Sequence, residues 1–61
     1  MKVYELLDVY QDDIIITKND EFGEEVVLCD SRTNNDVPFD LYMAEINQIW
    51  PMEFLINVNI K

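Results

Sequence analysis

Apolar positions recur along this chain in three rhythms, and each predicts a different element. Val3, Leu6, Leu7 and Tyr10 follow the i, i+3, i+4, i+7 spacing of one helical face, with Lys2, Glu5, Asp8 and Gln11 off it. That spacing predicts a short amphipathic helix within residues 1–11. Tyr4 and Val9 blur the stripe and no capping side chain precedes it, so the helix needs packing to persist; a strand over residues 3–7 is the alternative.

After Asp12 and Asp13 the rhythm changes to unbroken β-branched runs. Ile14, Ile15, Ile16 and Thr17 form one, and Val26, Val27, Leu28 and Cys29 a second. Both predict strands, because branched side chains are stiff at χ1 and pack well on a pleated surface. The polar segment between them holds Gly23, the chain's single glycine, which takes a positive φ without steric cost, so the two strands are expected to pair as an antiparallel hairpin. Residues 30–36 are polar throughout and predict a loop. Pro38 suits a first helical turn, and Phe39, Leu41, Tyr42 and Met43 a short helical segment that closes the core.

The third rhythm is strict alternation. Phe54, Ile56, Val58 and Ile60 interleave with Leu55, Asn57 and Asn59, which gives one apolar and one mostly polar strand face. Residues 45–50 and 53–60 are expected to form a second hairpin bent at Pro51 and Met52, since proline is tolerated at a turn and not in a central strand. The assembled expectation is a single α+β domain over residues 1–61: a short N-terminal helix packed on a small antiparallel sheet of about four strands, in two hairpins. The covered face takes Ile14, Ile16, Val26 or Val27, and the row from Phe54 to Ile60. Ile15, Val27 and Leu55 then belong to a second apolar face that one helix cannot cover. Together with Trp50, they are the expected contacts with a partner or with a second copy in a homodimer.

Composition changes this picture in two ways. With 61 residues the chain buries only roughly 60% of its unfolded surface, yet 49% hydrophobic content sets it apart from disordered acidic tails. One cysteine and no histidine exclude an internal disulfide and the usual structural zinc sites. No apolar stretch is long enough to span a bilayer and the start lacks a secretory pattern, so a cytoplasmic, membrane-free setting is expected. Cys29, within an apolar run, reads as a small buried hydrophobe.

Charge is the second change. Thirteen carboxylates against four basic side chains give a net charge of -9, a field that repels nucleic acid and anionic lipid and favours basic protein surfaces. The carboxylates at Asp12, Asp13, Asp20, Glu21, Glu24 and Glu25 fall at the two ends of the first hairpin and are the expected acidic contacts with such a partner. As adjacent pairs they are not spaced as a catalytic dyad, and no general base or phosphate loop accompanies them, so no catalytic residues, cofactor or metal are expected. An EF-hand register fails, because counting back from Gly23 puts Phe22 and Lys18 where oxygen ligands belong. Alternate strand residues stand about 6.5–7 Å apart, close to the spacing of neighbouring phosphates, so carboxylates on a sheet can imitate nucleic acid.

The opening from Met1 to Val9, the acidic turn before Ile14, Ile15 and Ile16, the continuation Gly23, Glu24, Glu25, Val26 and Val27, and a closing hairpin from Ile49 to Ile60 resemble a layout common in small acidic accessory proteins of bacteriophages and mobile elements of Gram-positive bacteria. The resemblance covers most of the chain as a pattern of elements and offers no shared site residue. It implies a phage- or element-encoded protein acting on host machinery, of the anti-CRISPR or other anti-defence inhibitor type and non-enzymatic as many of these are; the acidic charge in turn points to a basic groove of a nucleic-acid-processing host protein as the partner. The polar loop at 30–36 and the Trp50, Pro51 turn depart from the pattern.

Overall fold

A computed structural model describes residues 1–33 and 36–61, in the order α1 (Val3–Leu7), β1 (Asp13–Asn19), β2 (Glu25–Asp30), α2 (Phe39–Tyr42), β3 (Ile46–Met52) and β4 (Leu55–Ile60). The expected polar loop includes Asn34 and Asn35, which lie outside the described residues. Helix α1 is a single turn and a half, held less by propensity than by its surroundings. The Glu5 carboxylate accepts the Lys2 N–H at 2.9 Å, half of a capping box. Backbone bonds from Val3 N–H to the Ala44 carbonyl and from Ile46 N–H to the Met1 carbonyl tie its start to the entry of β3.

The four strands form one sheet in the order β2-β1-β4-β3. Each hairpin is antiparallel, as the patterns predict, but the seam between them, β1 against β4, is parallel. The expectation of a wholly antiparallel sheet is therefore corrected. The reason is that the start of β3 lies at the opposite end of the sheet from the end of β2, with residues 31–45, α2 included, between them in chain order, so β3 runs in the direction of β2 and β4 in that of β1. Crossovers of this length are what parallel pairing requires.

One face of the sheet is covered. Ile14, Ile16, Cys29, Ile56, Val58 and Ile60 form the core with Val3 and Leu6 of α1 and Leu41 of α2. The register places Ile14 beside Ile56 and Ile16 between Val58 and Cys29, so the most apolar strands hold the centre. Val26 and Val27, either of which was expected under the helix, are both exposed. Val26 lies on the helix side but on an edge strand beyond the reach of two short helices, and Val27, paired with Thr17, points to the opposite face.

The second turn also differs from expectation. Pro51 and Met52 belong to β3, paired with Ile56 and Leu55, and the chain reverses at Glu53 and Phe54. Because β3 is an edge strand, the missing proline N–H costs no ladder bond. Phe54 takes φ 62°, a left-handed conformation, and is 73% exposed instead of joining the buried row. In the first hairpin Gly23 has φ 81°, as its position in the turn requires.

Candidate interaction face

The uncovered face of the sheet is read from its register. Side chains of paired residues share a face, so three rows cross it: Met52, Leu55 and Asp13; Trp50, Asn57, Ile15 and Asp30; and Gln48, Asn59, Thr17 and Val27. All four apolar residues expected to meet a partner, Ile15, Val27, Leu55 and Trp50, are thereby brought to one surface. Val27 and Trp50 are exposed and Ile15 and Leu55 half-buried. Met52, exposed beside Leu55, joins them. Both helices place their buried residues in the core on the opposite side, so neither covers these rows.

Between the apolar residues runs a chain of amides and hydroxyls that spans all four strands. The Asn59 carboxamide, 2% exposed, accepts from Asn47 Nδ2 at 3.0 Å and donates to Thr17 Oγ1 and Asn19 Oδ1, each at 3.2 Å. Thr17 in turn donates to the Glu25 carboxylate at 2.7 Å. A bulge at Asn47 in β3 turns its side chain to the same surface. Asn57, two residues before Asn59, differs: its Oδ1 is buried and accepts no hydrogen bond.

The six acidic candidates fall into two groups at opposite ends of β1. Asp20, Glu21, Glu24 and Glu25 gather at the first turn, and Asp12 and Asp13 lie about 20 Å away at a rise of about 3.3 Å per residue along a seven-residue strand. No described strand carries carboxylates at successive alternate positions. Three of the six have local work. Asp20 Oδ1 accepts from the N–H groups of Phe22 and Glu24, shaping the turn. Glu25 holds Thr17, and Asp13 accepts from the Ser31 hydroxyl. The carboxylates of Asp12, Glu21 and Glu24 make no hydrogen bond or ion pair among the described residues. The Tyr10 phenol, pushed up by desolvation and then by Asp12 and Asp13, registers the negative field at that end.

Asp30 is different again, because Arg32 forks onto it through Nε at 3.0 Å and Nη2 at 2.8 Å. These bonds hold the Asp30 carboxyl below its ordinary range and raise the guanidinium. Cys29 is buried beside Ile16, and burial followed by the charge of Asp30 pushes its thiol up. No group of three or more potential metal ligands occurs among the described residues, and no described helix is long and apolar enough to cross a membrane. An open depression of about 320 Å³ along β2, lined by Leu28, Cys29, Thr33 and Pro38 among others, brings together no acid–base pair.

No family model, curated protein or solved structure matches the chain. The functional reading therefore stands on the face itself. The amides at Asn47, Gln48, Asn57 and Asn59 were the part that pattern reading missed. Their signal was present in two places: amides at alternate positions of the last strand, and two more in the strand expected to pair with it.

Proposed function

We propose that this protein is a non-enzymatic inhibitor or modulator that binds the basic, nucleic-acid-binding surface of a protein partner. The observation that carries the reading is the open sheet face, on which Ile15, Val27, Leu55 and Trp50 stand together between two carboxylate groups a strand length apart. Exposed apolar residues gathered on one surface mark an interaction site. A net charge of -9 steers a basic partner to it and keeps nucleic acid away. The resemblance of its layout to that of small accessory proteins of phages and mobile elements supports an anti-defence role in the cytoplasm of a Gram-positive host. Because the carboxylates cluster at strand ends, competition with nucleic acid by local charge fits better than imitation of an extended row of phosphates.

The test is affinity capture of partners from host lysate at low and at high salt, followed by identification of the bound proteins. A nucleic-acid-binding protein recovered at low salt and lost at high salt is the expected result. Neutralising Asp12, Glu21 and Glu24 together is expected to weaken capture. Capture indifferent to salt and to these substitutions would refute the electrostatic reading.

One observation favours a second reading, a homodimer or assembly module, namely that the apolar residues all share the uncovered face. A dimer formed there brings two chains of charge -9 together, so it is expected to strengthen with salt, opposite to the first reading. Light scattering at both ionic strengths separates them.

A further inference from the structure

Resting on the reading that the partner is basic, we infer that the cross-strand pair Trp50 and Asn57 is the anchor for an arginine side chain of that partner. Two independent observations meet at this pair. Asn57 Oδ1 is a buried acceptor with no donor, whereas the neighbouring Asn59 uses both ends of its carboxamide. Buried acceptors are almost always satisfied, and an orphan calls for an explanation such as a missing donor. Trp50 is directly opposite Asn57 on β3, on the same face, and 43% exposed. Its indole offers a π surface on which cations settle.

A guanidinium is suited to both groups at once. Its plane stacks on an aromatic face while its edge N–H groups reach sideways to an acceptor, a geometry that the compact ammonium of lysine lacks. An apolar partner would leave the Asn57 oxygen as it is. A second copy of this chain is no better, since its single arginine, Arg32, is already forked onto Asp30. The anchor is therefore assigned to an arginine of a different protein, and the charge of -9 favours a basic one. Because the Asn57 oxygen is enclosed in the free chain, arginine entry requires a local side-chain rearrangement beside it.

The experiment titrates the full chain at low salt with two end-blocked peptides of equal length and charge, one built on arginine and one on lysine. Calorimetry gives affinity and the single tryptophan gives a fluorescence signal. The arginine peptide is expected to bind about tenfold more tightly and to shift Trp50 emission. Trp50→Leu and Asn57→Leu, both read for retained fold by circular dichroism, are each expected to reduce the preference to about twofold or less while leaving binding of the lysine peptide unchanged. Equal binding of the two peptides to the unaltered chain, or a preference that survives in Trp50→Leu, overturns the anchor and leaves the basic-partner reading standing. Failure of both peptides to bind overturns both.

Discussion

Leucine in place of Asn57 and leucine in place of Asn59 are expected to move stability in opposite directions, although the two residues share a strand and a face. At Asn57 the substitution removes an enclosed oxygen that lacks a donor, a group whose burial costs about 1–3 kcal/mol. Taking the lower part of that range, the variant gains about 1 kcal/mol, and melts about 4–8 °C higher in a domain of this size. At Asn59 the substitution breaks bonds to Asn47, Thr17 and Asn19, each with a net value of about 0.5–1.5 kcal/mol. Asn47 and Asn19 are exposed and recover water, while Thr17 keeps its bond to Glu25. The loss therefore settles near 2 kcal/mol, or roughly 8–16 °C. Against a total of about 3–9 kcal/mol for a chain of this length, both shifts are large. Thermal melts and urea titrations followed by circular dichroism read them directly. If Asn57→Leu destabilised as much as Asn59→Leu, Asn57 would have a partner in solution and the orphan acceptor, with the anchor built on it, would be refuted.

Other outcomes follow from single residues. Phe54→Gly, which relieves a left-handed φ at an exposed aromatic, is expected to raise the urea midpoint by an amount equivalent to about 1 kcal/mol; a fall would mean that the Phe54 ring packs in solution. Asp30 has a lowered folded pKa because of Arg32, so its contribution is present above the unfolded carboxyl pKa and is lost as pH falls through the folded value. In Arg32→Gln the Asp30 titration, followed by carboxyl NMR, is expected to move up towards 3.8, and an unchanged midpoint would dissolve the fork. Buried Cys29, its thiol raised, is expected to react with a thiol reagent at least ~100-fold more slowly in the folded chain than in denaturant; comparable rates would place it at the surface.

The elements were legible where a local rule decides them. Branched runs at 14–17 and 26–29 became β1 and β2, Gly23 took its positive φ, and the alternation at 55–60 became β4. Two features escaped because they depend on distant partners. The parallel seam follows from the end of the sheet at which β3 begins, which no local pattern encodes. The second turn was misplaced because proline marks turns in general, whereas at Pro51 the edge position removes the penalty that would exclude it from a strand. On the candidate face, the shared placement of Ile15, Leu55 and Trp50 follows from strand alternation, whereas Val27 joins them only because a bulge in β2 separates its face from that of Cys29, which lies in the core. The amide chain does not: polar residues on alternate strand positions look like a solvated surface until the register shows that Asn59 is enclosed by those it bonds.

The parallel seam also sets a timetable for synthesis. Its ladder joins residues far apart in the chain: Thr17 and Asn59, paired across it, are 42 positions apart. Each hairpin closes on its own residues, but β1 has no neighbour on its inner side until β4, the last strand in chain order, has left the ribosome. Such non-local pairing slows folding and prolongs exposure of apolar strand surface. During that interval the first hairpin carries Ile14, Ile15 and Ile16 with carboxylates at both of its ends, and charges flanking an apolar strand are the kind of residue that opposes pairing of its open edge with another chain.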